Sequence, residues 1–281
     1  MTTDEAQRES TGVVAGIGPP LVIASTLASA LGIVIAQFLD DLGDGLLAEF
    51  MGGDAVIHNN RVEFTGAGDL AWAGGFLLCL LVGLVALFVY PTQRGHGVPR
   101  LVLLWMVLHV LAQALAQAVM IPFSDTSQLA LAYATFDAPP GLDMVIAVGG
   151  GIGLLLIALA AASAFLAFTP HRRLVSTPRR RTVVALWLAL IPAVVSALVA
   201  VPYFIPDSEG LVISGLPFTA LIFLVTLAAA PGTTTLFGPE EERHTRWPWG
   251  LVVFMVVLLI VYMAILQGGV SMDPRLWGSA R

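Results

Sequence analysis

Lysine is absent from the 281 residues, and cysteine occurs once. With no lysine there is no Schiff-base site, so a multi-helix bundle here is not a retinal protein. The lone Cys79 stands in an apolar run and has no partner for an internal disulfide. Charge is scarce as well: 11% of residues are charged against 57% hydrophobic, where a soluble domain carries about 25% charged residues. With a mean hydropathy of +0.88, the composition is that of an all-α polytopic integral membrane protein. All 13 basic residues are arginines. Arginine codons are GC-rich and lysine codons are not, which points to a high-GC prokaryote.

What the chain does have is long apolar runs. Runs of about 20 residues cross a bilayer as helices. The expected spans are 14–38, 70–90, 101–120, 144–168, 183–204, 211–230 and 251–267, about seven in one transmembrane domain covering 1–281. The division between the fifth and sixth spans is the narrowest, because only Ile205-Pro206-Asp207-Ser208-Glu209-Gly210 separates two apolar runs, as in a tight helical hairpin. Met1–Thr11 is polar and lacks the pattern of a secretory signal.

Arginine also sets the expected orientation. With the N-terminus in the cytoplasm, Arg8, Arg94, Arg100, Arg172, Arg173, Arg179, Arg180, Arg181, Arg243 and Arg246 lie inside, and only Arg61, Arg275 and Arg281 outside. The expectation is a protein of the cytoplasmic membrane with its C-terminus extracytoplasmic and an anionic outer face. No nucleic-acid partner is expected of a chain with net charge −6.

Two outer loops, 39–69 and 121–142, are expected to be structured. In the first, Asp44 suits the N-cap of a short helix over Gly45–Met51, with Leu46, Leu47 and Phe50 dipping into the interface. Ala55–Phe64 reads as two strand-like arms around Asn59-Asn60, a pair that tolerates a tight hairpin turn. In the second, the apolar run Leu129–Phe136 is too short to span and should lie over the bundle mouth. Gly149 and Gly153, at the start of the fourth span, form a small-residue face for close helix packing. Glu240-Glu241-Glu242 reads as solvated surface.

The third span carries the one sustained polar face. Trp105, His109, Gln113 and Gln117 recur every four positions and stack along one side of a helix. Facing lipid, they would go without partners, so the stripe should point into the bundle. It has three readings: bonds that hold neighbouring helices together, the lining of a pathway for a small polar or lipid-like ligand, or a catalytic or metal centre.

Motif tests narrow the third. His109-Val110-Leu111-Ala112-Gln113 has the spacing of the HExxH helix of intramembrane metalloproteases, but Val110 stands where the catalytic Glu would be and Gln113 where the second ligand would be. Gly66-Ala67-Gly68-Asp69 matches the GxGD of intramembrane aspartyl proteases, but no second Asp lies inside any expected span, and a helix cap suits Asp69. A single intramembrane His does not supply both axial ligands of a b-type haem. No Asp, Glu or Arg is expected deep in a span, which counts against a carboxylate proton relay. No catalytic residue, metal ligand or cofactor is therefore assigned.

The expected function is a non-enzymatic, transporter-like or accessory membrane subunit with a polar-lined cavity around His109. Its partners would be the lipid bilayer, a small polar or lipid-like ligand and other membrane proteins. The alternatives are a membrane enzyme acting on a lipid or isoprenoid substrate, and a structural subunit of a larger membrane complex.

Overall fold

Gly18, at φ +79°, breaks a helical turn over 12–17, and Pro19-Pro20 then open helix α1, Pro19–Phe50. Proline suits the first helical position because its missing N–H would be unpaired there anyway. The computed structural model describes residues 12–58, 61–93, 97–200, 216–233, 247–266 and 268–272. After α1 come strands β1 (Asp54–Ile57) and β2 (Val62–Thr65), then α2 (Gly74–Val89), entered through a 3-10 turn at Asp69–Ala73. Helix α3 is Val98–Met120, the short α4 is Gln128–Ala134, and α5 is Leu142–Leu166. A sixth helix, α6, spans Pro178–Ala200 and widens to a π-turn at Leu186–Leu190. Helices α7 (Leu216–Ala229) and α8 (Trp249–Leu266) follow, then strand β3 (Val270–Ser271).

The protein is an all-α polytopic membrane bundle. Among the described residues, six helices are long and apolar enough to cross a membrane, and a seventh, shorter apolar helix runs over Phe218–Gly232. The expected division at 205–210, between the fifth and sixth spans, lies outside the described residues, as do Asn59-Asn60 and the acidic run 240–242.

Helices α1 and α3 form the centre. Burial covers 67% of the apolar stretch of α3 and 56% of that of α1, against 12% for α8, which is therefore peripheral to the bundle. Helix α1 packs on α2, α3, α6 and α8, while α3 packs on α1, α2, α5 and α7. At one end, Leu21 of α1 joins Leu101, Leu104, Trp105, Phe165 and Leu174 in the largest apolar cluster. Arg100, Arg172, Arg173, Arg179, Arg180 and Arg181 belong to helix starts and turns at this end. Arg181 fastens the end itself, donating to the carbonyls of Val175, Pro231 and Thr233 at 2.8–3.1 Å. These carbonyls lie in a helix-terminal turn and just beyond, where main-chain acceptors lack partners.

At the opposite end stands a small sheet of order β2-β1-β3. The hairpin over Ala55–Phe64 forms with Ala55 opposite Phe64 and Ile57 opposite Val62. Two strands alone are marginal in water. This pair is supported by β3, which aligns Ser271 with Val56 and Val270 with Ile57. It also rests on α1, through Ala48 and through Glu49, whose Oε1 accepts from the Ala55 N–H at 2.8 Å. Helix α4 buries Leu129 and Ala132 against the turn that enters α2, so the apolar run of the second loop does sit over the bundle end.

The first helix corrects the expected boundary. No loop begins at residue 39: α1 runs unbroken through Asp40-Asp41-Leu42-Gly43-Asp44 to Phe50. At 32 residues it is about 48 Å long, well beyond the ~30 Å hydrocarbon thickness. Asp44 therefore does not cap a short helix of its own. Asp69 is exposed at the start of the 3-10 turn and makes no capping bond. Within the glycine cluster, a Cβ on Gly150 would meet the Leu115 carbonyl oxygen at 2.9 Å and one on Gly153 would meet Leu115 Cδ1 at 3.0 Å, whereas one on Gly149 would meet nothing. The packing face is Gly150 with Gly153; Gly149 points away from it.

Candidate functional site

The stripe on α3 lies along α1, and the two helices run in the same direction, as first and third spans of an alternating bundle must. Trp105 Nε1 donates to Ser25 Oγ at 2.9 Å, and Ser25 donates onward to the Leu188 carbonyl at 2.7 Å. That carbonyl is available because Pro192, four residues on, has no N–H to give it. The local widening of α6 at Leu186–Leu190 just before Pro192 belongs to the same break.

One turn along, His109 Nε2 and Ser29 Oγ are 3.0 Å apart, and Ser29 Oγ is 2.6 Å from Ser196 Oγ. Ser196 in turn donates to the Ala193 carbonyl at 2.9 Å. With the Ser196 proton on that carbonyl, Ser29 must donate to Ser196, and His109 Nε2 must carry the proton that Ser29 accepts. The chain then runs one way, from the imidazole through two hydroxyls to backbone. Trp105 stacks on His109 with centroids 5.5 Å apart and also touches Phe165 and Phe223. His109 is the middle residue of α3 and is only 5% exposed. Gly32 makes this approach possible: a Cβ there would lie 2.8 Å from His109 Cδ2 and 3.0 Å from the Trp105 carbonyl oxygen.

Toward the sheet end the seam becomes acidic. Gln113 Nε2 donates to Asp40 Oδ2 at 3.0 Å, and Gln117 Nε2 donates to Asp40 Oδ1 at 2.7 Å. Asp44, one turn on, accepts from the Gly75 N–H at 2.6 Å. It thus satisfies one of the unpaired N–H groups that open α2, where the helix dipole favours a negative partner. Asp41 accepts from Gln37 of its own helix at 3.1 Å. Among the described residues, the donors reaching these three acids are carboxamides and one backbone N–H, none of them cationic.

Asp40, Asp41 and Asp44 are each no more than 1% exposed. Three acceptor atoms in this group, Asp41 Oδ2, Asp44 Oδ2 and Gln117 Oε1, are buried without a donor among the described residues. Glycine lets the helices close here. Gly43 lies directly against Gly74, and a Cβ on Gly75 would overlap Asp40 Oδ1.

All four stripe residues thus reach α1: Trp105 and His109 through serines, Gln113 and Gln117 through one aspartate. The acids are buried within α1 itself, where a loop beginning at residue 39 was expected. Their signal was present in the sequence: Ser25, Ser29, Gly32, Ala36, Asp40 and Asp44 fall at steps of three and four, one face of a single helix. Hydropathy alone hides it, because Asp40-Asp41 ends the apolar run that marks a span.

Asp69, Asp125 and His171 are exposed, away from the seam. No group of three or more His, Cys, Asp or Glu among the described residues is placed to hold a metal ion. Comparison with protein-family models, curated proteins and solved structures finds no match to this chain.

Proposed function

We propose that this chain is a transporter-like or accessory subunit of a prokaryotic cell membrane, and that the α1–α3 seam handles its ligand. The observation that carries this reading is the set of donorless buried acceptors Asp41 Oδ2, Asp44 Oδ2 and Gln117 Oε1. Leaving such an atom unbonded costs about 1–3 kcal/mol. Ionisable groups inside a membrane bundle mark pathways and binding sites by default. An acceptor-only site suits a small solute that brings positive charge or several N–H or O–H donors. The ligand end of the seam is therefore the Asp40–Asp44 region, about three to four turns along α1 from the Ser29 that meets His109, rather than His109 itself. The arginine-rich helix ends belong in the cytoplasm, which sets the N-terminus inside and β3, with the C-terminus beyond it, outside.

The test is calorimetric titration of the full-length protein in detergent with methylammonium chloride and with sodium chloride. Saturable binding of either cation, lost in Asp44→Asn and in Gln117→Leu, is the expected result. Asn at position 44 keeps an oxygen for the Gly75 N–H, so that variant should stay folded. No saturable binding of either cation to the folded wild-type protein would discard the reading.

The structural-subunit reading has its own supporting observation. The Trp105 and His109 branches end on backbone carbonyls, Leu188 and Ala193, as bonds that only hold helices together would. An enzyme acting on a lipid or isoprenoid through His109 has less behind it. The outer acids that would help it, Asp69 and Asp125, are exposed, and His109 is enclosed by Ser29, Trp105 and Phe223.

A further inference from the structure

Helices α2 and α5 both pack on α3, but they make no extensive contact with each other. A groove of about 580 Å³ remains between them, floored by Leu104 and Val107 and walled by Ala160 and Ala164. Ser163 also lines it, but its hydroxyl donates to the Ala160 carbonyl of its own helix at 2.9 Å, so the wall acts as an apolar surface. Along α5 the lining runs from Leu156 to Ala167, about 16 Å at the helical rise. The groove opens sideways onto the lipid-facing surface, where Leu156 is 61% exposed.

Polar chemistry gathers at one end. Arg100 sits there with its guanidinium 4.8 Å above the Tyr90 ring. A guanidinium is a planar fork that serves more than one acceptor, which suits it to a phosphate. This is the arginine-rich end of the bundle, shared with Arg172, Arg173, Arg179 and Arg180.

We infer that this groove seats one acyl chain of an anionic glycerophospholipid, with the lipid phosphate on Arg100. An aliphatic trough with a single cation at its interfacial end is complementary to an amphiphile with an anionic head and a saturated tail. A water-soluble solute matches neither the apolar lining nor the sideways opening. Net negative headgroups are favoured over zwitterionic ones because the surrounding helix ends are basic. Small residues at 160 and 164 leave the space; larger ones would fill it.

The site is separate from the α1–α3 seam, since Arg100 and Gln117 stand at opposite ends of α3. Its test uses the full-length, delipidated protein in a non-ionic detergent, with phosphatidylglycerol or phosphatidylcholine added back. Unfolding temperature and the lipid retained in native mass spectrometry are both measured. One phosphatidylglycerol per chain should survive, and it should raise the unfolding temperature by several degrees more than phosphatidylcholine does. Arg100→Gln should erase the preference between the two lipids. Ala164→Leu should erase retention while leaving the lipid-free unfolding temperature near wild type, which separates loss of the site from loss of the fold. Equal stabilisation by both lipids, or a preference that survives both variants, would show an unspecific lipid shell and overturn the inference.

Discussion

Gln117 donates to Asp40 across the α1–α3 seam at 2.7 Å, and this bond joins the last turn of one central helix to a carboxylate buried in the other. Gln113 reaches the second oxygen of the same carboxylate. Asp40 is therefore the point at which the two helices are locked in register. Removing it leaves the buried Gln117 amide and the half-buried Gln113 amide without an acceptor. Asp40→Leu should destabilise the protein in detergent by roughly 2–5 kcal/mol, from about 1–3 kcal/mol per orphaned group. Gln117→Leu should cost less, and the double variant less than the sum. A coupling of about 0.5–3 kcal/mol in that cycle is the expected result. Additive single variants would mean that the bond does not hold the seam.

His109 tests the other end. Replacing it by Leu removes the donor that Ser29 accepts, and the orphaned hydroxyl should cost about 1–3 kcal/mol. His109→Gln keeps a donor at similar reach and should leave thermal stability close to wild type. Set beside the phenotype of a deletion strain, the pair separates the two roles. A stable His109→Gln variant that complements fully makes His109 a packing residue, whereas a stable variant that fails to complement places the imidazole in the ligand path.

The glycines of α5 should split by face. Gly150→Ala would press a methyl against the Leu115 carbonyl oxygen, 2.9 Å away, and against Val119. Overpacking of that kind typically costs about 1–3 kcal/mol. Gly149→Ala meets open space and should be neutral or stabilising by up to ~1 kcal/mol, because alanine is the better helix former. Thermal unfolding of the two single variants decides it, and equal effects would refute the assigned face.

The sheet gives a topological test. Val56 and Ser271 are paired across β1 and β3. A Val56→Cys/Ser271→Cys double variant should cross-link under mild oxidation, seen as a gel shift reversed by reductant. Cys79 is fully buried and should not compete. Reporter fusions should then place the Arg172–Arg181 segment and the C-terminus on opposite sides of the membrane. Finding both on one side would remove a span from the fold.

The class of the fold was legible in the amino-acid sequence because bilayer insertion depends on local composition. A run of about 20 apolar residues meets the membrane's length requirement whatever it later packs against. The α3 stripe was legible for a related reason: helical periodicity puts residues 105, 109, 113 and 117 on one face, and lipid cannot satisfy them. The hairpin over Ala55–Phe64 was likewise readable from its alternating arms.

What those polar residues meet was decided only by tertiary structure. Ser25, Ser29 and Asp40 are unremarkable by hydropathy and become partners because Gly32 and the Gly43–Gly74 contact let the helices approach. The end of α1 was misread because a window of apolar residues stops at an aspartate pair, whereas the helix continues once Gln113, Gln117 and the Gly75 N–H supply donors to those acids. The third strand was invisible for the same reason. Two residues, Val270 and Ser271, carry no strand pattern of their own and become one only beside an open edge of β1. Local sequence sets which segments are helical and apolar. Whether a buried charge is tolerated within them is fixed by donors that lie more than 30 residues away along the chain, at Gly75, Gln113 and Gln117.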